Sequence, residues 1–546
     1  MDQTRVQVRP RRRSELDIIP LGGCGEIGMN LMLYGFQSRW LVIDCGMAIR
    51  QDLPDTPLQI PDISVLASHG ISPEAIVLTH GHEDHLGALG WIWPRLGCPI
   101  YATPLAAGLV RQKLIEQGLA TDAIRIFTPG SRFEAGPFSI SSINVTHSIP
   151  ESVSLLLEVD KHRILHTGDW KLDPNPLIGP KTREQDFTAI APVDLLVGDS
   201  TNAMVDGHSR SESEVAGTLT QLMKECTGRI VVSCFASNLA RILAIGRAAK
   251  KHHRRIALLG RAMEKMVRLG RELGYLDGFP DVIPLSDIGY LPPEEILVIA
   301  TGSQGEPRAA LSRLAANQHT ALEIEPGDGI IFSSRAIPGN EQAVARLHQA
   351  FIHRGAHVFH DEAQPGLHAS GHPARDELHT LYRWVKPAHL LPVHGEKAHQ
   401  KAHCDIADTL GIKSSLLPEN GQWLRWNGKR MQLEKSLTLS TVIISQRKRS
   451  RKNTPRRSNT VLVLPVSRQA NTFQWQRVGR MIIDSQVDEF IDEDTLGDWI
   501  DITLEGMEAA SSRELAHLLE ERAGRWLDTQ LRQTTRIMVD IVDTTP

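Results

Sequence analysis

The sequence predicts an α/β fold in several domains, and three observations carry that expectation. Short β-rich runs alternate with helical stretches through the first 200 residues. From about Ser211 the texture becomes a regular strand–helix–strand rhythm, the pattern of a parallel sheet with crossover helices. At 546 residues the chain also exceeds one ordinary core; its length is that of roughly three to four domains.

The elements follow from local pattern. Alternating or β-branched runs place strands at Leu16–Ile19, Asn30–Tyr34, Trp40–Ile43, Ala75–Thr79, Ile140–Val145, Ser154–Val159, Arg163–His166 and Asp194–Val197. Helical spacing places helices at Leu86–Leu96 and Pro104–Gln117. In the second stretch, helices at Ser213–Cys226, Asn238–Lys251 and Arg261–Leu273 alternate with strands at Ile230–Ser233, Arg255–Leu259, Ile296–Ala300 and Gly329–Phe332. Residues 344–440 are expected to return to short strands. Arg447–Arg457 is a basic, polar segment read as a solvated linker, with a phosphate-contacting arm as the alternative. Beyond it, a strand at Thr460–Val466, a helix at Ser512–Arg532 and a strand at Arg536–Val542 form a small tail domain.

Composition narrows the function classes. Hydrophobic residues at 41% and charged residues at 23% fit globular cores rather than disorder. The net charge of −4 gives no global basic field, so a nucleic-acid partner must be held by a local patch. No run approaches the ~18 apolar residues of a membrane span, and no signal-peptide apolar region appears. Six scattered Cys with no CxxC pair read as reduced thiols of a cytoplasmic protein.

The strongest chemical signal is Thr79-His80-Gly81-His82-Glu83-Asp84-His85-Leu86-Gly87, between an apolar strand and an apolar helical run. Three imidazoles and a carboxylate at one strand end are zinc-type ligands, and the doubled supply points to two metals. His147, His166, Asp169 and His394 each stand at a further strand end. Alone, any such His is more often a structural residue than a ligand; beside the HxHxDH segment the balance reverses. Gly23-Cys24-Gly25-Glu26-Ile27-Gly28 is a literal GxGxxG followed by Asp44. A dinucleotide site needs a helix to open at the third glycine, and the residues after it read as strand–turn–strand instead. The loops Asp199–Asn202, Ser233–Asn238 and Ala300–Glu306 lie past apolar strands, where hydroxyls and N–H groups can meet phosphates, although ordinary caps and turns look the same. His368-Ala369-Ser370-Gly371-His372 combines small residues, a hydroxyl and two imidazoles that suit an anion, although a turn with surface His has the same composition.

In their order these segments resemble the metallo-β-lactamase fold with a β-CASP insertion, specifically the bacterial ribonuclease J family. The resemblance runs from Pro20–Gly28 through Val42-Ile43-Asp44, the HxHxDH segment, His147–Pro150, Gly168-Asp169 and Asp199–Asn202. It continues through Gly302–Glu306, Pro338–Glu341, Ser370–His372 and Pro392–Glu396, covering about residues 15–440. Glu151 and Trp170 depart from the family's pattern.

The resemblance implies an αββα sandwich with an inserted β-CASP α/β domain and a small C-terminal α/β domain. The expected divisions are a basic arm at 1–14, the sandwich at 15–205 and 346–445, the insertion at 206–345, a linker at 446–459 and the tail domain at 460–546. It implies two Zn2+ per subunit, with Mn2+ or Mg2+ as substitutes. His80, His82 and His147 would hold one; Asp84, His85 and His394 the other; Asp169 would bridge them, and Asp44 would support the site from behind. Asp84 is expected to help orient or deprotonate the attacking water, and His372, oriented by Asp199, to clamp the phosphate or protonate the leaving oxygen. Ser237, Asn238, His368, Ala369, Ser370, Gly371 and His372 are expected to hold RNA phosphate.

The implied activity is hydrolysis of single-stranded RNA, 5′ to 3′ from a 5′-monophosphate end and internally in some members, in RNA processing and decay. Implied partners are RNA, a second or further copies of the chain as homodimer or homotetramer, and RNA-decay proteins, with no membrane. Two other classes compete: a small-molecule hydrolase of lactonase or thioesterase type on the same metal core, and a non-catalytic scaffold that kept the fold. A small substrate needs no long insertion, and a degenerate scaffold usually loses a ligand.

Overall fold

The computed structural model describes residues 14–50, 58–306, 309–319, 322–337, 339–414 and 416–444, and scattered segments between 458 and 543. It divides into two compact units, Met1–Gln446 and Arg447–Pro546. The basic arm before Ser14 and the basic segment 447–457 lie outside the described residues.

In the first unit two large sheets face each other. The eight-stranded sheet carries Leu16–Gly22, Leu31–Phe36, Arg39–Ile43 and Pro73–Val77 at its centre, and the seven-stranded sheet carries Phe138–Asn144, Val153–Val159, His162–His166, Leu195–Asp199 and His389–Val393. Alternation along each strand sorts the side chains. Ile18, Leu41, Leu155 and Leu157 fill the space between the sheets. Their neighbours Ile19 and Val42 face helices that include Leu89–Leu96 and Pro104–Glu116. Leu156 and Leu165 likewise face helices Arg375–Val385 and Lys397–Thr409. The result is the expected αββα sandwich.

Local chemistry sets the helix ends. Pro104 occupies the first turn of its helix, where its missing N–H costs nothing. Gly97, at φ 63°, ends the helix Leu89–Leu96 in the left-handed conformation.

The third sheet is parallel throughout, in the order Arg255–Leu259, Ile296–Ala300, Ile230–Ser233, Gly329–Phe332, His357–His360. Helices cover both faces, which is why its strands read as continuous apolar runs. A capping box of Ser211 with Glu214 starts the helix Glu212–Glu225 that leads into it.

Two differences from expectation stand out. Residues 344–440 are not dominated by short strands, because helices Glu341–His353, Arg375–Val385 and Lys397–Thr409 occupy much of that stretch. Charged and polar residues interrupt their apolar stripes, and packing on the sheets rather than local pattern stabilises them. The strand His357–His360 pairs with Gly329–Phe332, so the inserted sheet continues past the boundary expected at 345.

The four strands Phe138–Asn144, His162–His166, Leu195–Asp199 and His389–Val393 run in one direction, so their C-terminal ends share one edge. The turn after Pro73–Val77 reaches the same edge from the facing sheet. Every candidate ligand lies there.

In the second unit, Ser458–Arg468 pairs antiparallel with Trp475–Arg477 and Ile482–Ser485 and parallel with Thr535–Asp543. The linker expected at 446–459 is thus already strand from Ser458. Within the expected helix, residues 514–516, 518–519 and 522 are described as helical, with Leu515 and Leu519 buried.

One buried ion pair lies within the inserted unit and reaches the segment that leads back to the sandwich. Arg241, only 1% exposed, donates through Nε and Nη2 to both carboxylate oxygens of Glu212 at 2.9 and 3.0 Å. Its Nη1 donates to the carbonyls of Ser333 and Leu367. Removing one partner strands a buried charge. Arg241→Ala is therefore expected to lower unfolding free energy by about 3–5 kcal/mol, read as a shifted denaturant midpoint; an unchanged midpoint would show the pair to be dispensable.

Candidate active site

Six side chains, carried past the ends of three strands, converge on Asp169, which follows a fourth. His80 Nε2 and His147 Nε2 each lie 3.0 Å from His82 Nδ1 and 3.8 Å from Asp169 Oδ2. On the other side of that carboxylate, Asp169 Oδ2 lies 3.2 Å from His85 Nε2 and 3.7 Å from His394 Nε2. Asp84 Oδ2 is 3.2 Å from His394 Nε2 and 3.6 Å from His85 Nε2. The two groups, His80–His82–His147–Asp169 and Asp84–His85–His394–Asp169, each span less than 4.8 Å between ligand atoms. A third grouping, Asp169–Asp199–His372–His394, adjoins them.

The far nitrogens are tied down. His147 Nδ1 donates to the Gly371 carbonyl at 2.7 Å, and His85 Nδ1 to Asp44 Oδ2 at 2.8 Å. Thr79 Oγ1 donates to Asp44 Oδ2, which leaves it to accept from His80 Nδ1 at 3.0 Å. Thr201 Oγ1 donates to the His394 carbonyl and accepts from His394 Nδ1 at 2.6 Å. Four imidazoles are thereby locked with Nε2 aimed at the cluster centre, the second layer of bonding a metal site requires. Asp44 and His394 themselves sit at φ 62° and 52°. Left-handed backbone at non-glycine residues costs of order 1 kcal/mol or more and persists where surroundings enforce it.

Electrostatics agree with a cation centre. Burial pushes His80 and His147 well below the ordinary imidazole value and His82 down to about 4, so all three offer free lone pairs at neutral pH. Burial opposes a proton on His85 too, but Asp169, Asp84 and Asp44 outweigh it and raise that group well above its usual value. His394 is raised in the same way, against burial, by Asp169 and Asp84. Nitrogen and carboxylate donors at these separations fit metal ions, which would displace the protons on His85 and His394.

At the rim, His372 Nδ1 donates to Asp199 Oδ2 at 2.8 Å. Burial would strip its proton, yet Asp199 and Asp169 raise its pKa to about 9, so it is an acid at neutral pH. Ser209 Oγ and Asn202 Nδ2 donate to its carbonyl at 2.6 and 3.2 Å, and Ser370 Oγ accepts both its N–H and Asn202 Nδ2. A Cβ on Gly371 would fall 2.5 Å from the His147 ring, so only glycine lets that carbonyl reach Nδ1.

The expected residues divide accordingly. His80, His82, Asp84, His85, His147, Asp169 and His394 come together, with Asp44 behind them and the His372–Asp199 pair beside them. Asn238 also serves the fold: its Oδ1 caps the helix Leu239–Lys251 through Arg241 N–H, and its Nδ2 donates to Glu212. Ser237 is half-buried at the same helix start, and His368, Ala369 and Ser370 lie on the segment leading to His372. His166 joins no ligand group; its Nδ1 meets Tyr34 Oη at 2.9 Å.

The GxGxxG loop has a different purpose from the dinucleotide one: its Gly23 carbonyl accepts the His394 N–H at 2.7 Å. Sequence reasoning missed Asn30, whose side-chain Nδ2 donates to the Asp84 carbonyl and lies 3.0 Å from His85 Nε2. Nothing in a lone Asn beside a strand announces that role.

Comparisons with known proteins coincide with this geometry. Residues 39–229 match a beta-lactamase superfamily domain, 227–351 the beta-CASP domain described for ribonuclease J, and 362–418 a Zn-dependent metallo-hydrolase RNA specificity domain. The chain is 42% identical over 419 residues to the Ribonuclease J of Sinorhizobium meliloti, spanning 75% of this chain and 74% of that one. It is 38% identical over 423 residues to the Ribonuclease J of Thermus thermophilus, with the same coverage. A crystal structure of a protein of unknown function from Enterococcus faecalis shares the fold, at a TM-score of 0.52 and 18% identity over 76% of this chain and all of that one.

Thr201→Val removes the acceptor that orients His394, and metal affinity is expected to fall about 10–100-fold, measured by competition against a coloured chelator. Unchanged affinity would show that His394 needs no such hold.

Proposed function

Since the chain belongs to the ribonuclease J family of hydrolytic ribonucleases, we propose that it degrades single-stranded RNA 5′ to 3′ from a 5′-monophosphate end. Endonucleolytic cutting is a second mode of the same site. The observation that supports this most directly is the pair of ligand groups sharing Asp169, with the His372–Asp199 pair at their rim.

His80, His82, His147 and Asp169 would hold one zinc, and Asp84, His85, His394 and Asp169 the other; manganese or magnesium could substitute. Such a pair acidifies water and neutralises charge on phosphoryl oxygens. The remaining chemistry belongs to the chain. Asp84 offers a carboxylate oxygen beside the centre to orient or deprotonate the attacking water. His372 carries a proton for the leaving 3′ oxygen, and Asp199 holds the ring by the nitrogen facing away from substrate. Gly371 couples the two halves, because its carbonyl orients His147 while the next residue is the acid.

The chain's work would lie in RNA processing and decay in the cytoplasm, alongside RNA-decay partners. No described helix is long and apolar enough to cross a membrane, and all six cysteines are free thiols. The second unit offers a self-association surface for a homodimer or homotetramer.

His372→Ala should keep its metals and lower kcat on a 5′-labelled RNA oligonucleotide by about 10²–10⁴-fold, whereas His82→Ala should lose metal and cleavage together. Wild-type protein without bound transition metal, and without nuclease activity after added zinc or manganese, would refute the reading. Truncation after Ser445 should shift the sedimentation coefficient toward that of a monomer with the metal site still loaded; unchanged mass would remove the tail's role.

A further inference from the structure

A second charged cluster lies beside the site without belonging to the metal centre. Its hub is Asp361, whose carboxylate is 2% exposed and follows the strand His357–His360 directly. Oδ1 accepts the backbone N–H groups of Gly366, Leu367 and His368 at 2.9, 3.0 and 3.0 Å, and Arg210 Nη1 at 2.9 Å. Oδ2 accepts Arg335 Nε and Nη2 at 3.0 and 2.8 Å. One carboxylate therefore orients two guanidiniums from distant parts of the chain. Arg210 comes from the segment entering the inserted sheet, and Arg335 from just past the strand Gly329–Phe332.

Both arginines stay at the surface while their anchor is buried. Their side chains are 35% and 61% exposed. Among the described residues, Arg335 Nη1 and Arg210 Nε and Nη2 have no hydrogen-bond partner. Two fixed cations share one anion, so the cluster keeps a positive charge. The nearby Arg241 does not change that balance, because Glu212 neutralises it. Arg210 Nη1 also donates to the His368 carbonyl at 3.2 Å, which places the pair against the segment that leads to Ser370 and His372. Burial, Arg241 and Arg335 together push His368 down to about 3, leaving a neutral ring beside two cations.

The fold goes to some length to hold Arg335 there. Gln304, 3% exposed, donates to the Arg335 carbonyl at 2.9 Å and accepts the Ile337 N–H at 2.7 Å and Asn340 Nδ2 at 3.3 Å. The Gly302–Glu306 and Pro338–Glu341 segments are thus joined through one amide, and what they fix is the loop presenting Arg335.

We propose that Arg210 and Arg335, oriented by Asp361, form a phosphate-binding pair for the RNA substrate beside His368. The proposal rests on the ribonuclease reading above. Guanidinium forks match phosphate oxygens in geometry, and arginines already held in place lose little freedom on binding. The phosphate is either the terminal 5′-monoester or an internal diester, and one experiment separates the two sources.

The experiment measures kcat and KM for wild type, Arg335→Gln and Arg210→Gln on 5′-monophosphate and 5′-hydroxyl forms of one RNA oligonucleotide, across a salt series. Each variant should raise KM about tenfold with kcat nearly unchanged, and lower the log–log salt slope by about 0.7. A KM rise confined to the 5′-monophosphate RNA supports the terminal phosphate; an equal rise on both RNAs supports an internal diester. Unchanged KM and slope in both variants would overturn the pair, as would a fall in kcat at constant KM or an effect in only one variant. A wild type that cleaves neither RNA would instead sink the ribonuclease reading, a result distinct from failure of the pair.

Discussion

Three carboxylates and five imidazoles cannot be crowded within a few ångströms of one another, most of them out of water, unless something positive is shared among them. That constraint organises the first unit. Asp169, Asp84 and Asp44 repel one another at close range, and in the chain alone the relief comes from protons held on His85 and His394. The structure is arranged so that this charge is exchangeable at the Nε2 atoms of His85 and His394 while their Nδ1 contacts stay fixed. Asp44, Thr79, Thr201 and Gly371 each hold an imidazole from behind, and two of the residues concerned accept left-handed backbone to do so.

The sandwich explains how such a cluster can be built at all. Four strands of one sheet end at the same edge, and each contributes one polar side chain just past its last apolar residue. The strands' inward faces are filled by Leu, Ile and Val between the sheets, so the polar groups add no burden to the core. The inserted sheet then reaches the site by a different route. Its C-terminal strand ends carry Ser333 and Asp361, which grip the 366–368 segment and leave His372 against the metal centre.

Much of this was legible in the sequence, for identifiable physical reasons. The ligands could be found because His and Asp packed so densely at a strand end serve little purpose except to hold a cation. The parallel strands could be found because runs such as Ile230–Ser233 are apolar on both faces. Local signals that serve two purposes were harder to read. Asn238 looks alike as a phosphate contact and as a helix cap, and its bond to distant Glu212 is visible only in the fold. Helices Arg375–Val385 and Lys397–Thr409 were hidden because charged and polar residues interrupt their apolar stripes. Asn30 and Arg210 were not found, since each acts through a residue far away in sequence.

The insertion separates the strands Leu195–Asp199 and His389–Val393, which lie side by side in the finished sheet. During synthesis every ligand position except His394 leaves the ribosome early, Asp169 included. Roughly 200 residues must then follow, about 10–40 s at ordinary elongation rates. Over that interval the nascent chain has a nearly complete set of donors but no closed second ligand group and no His372. A nuclease assembled in this order acquires its cutting centre only after the whole inserted sheet has been made, when most of its own messenger has already been read.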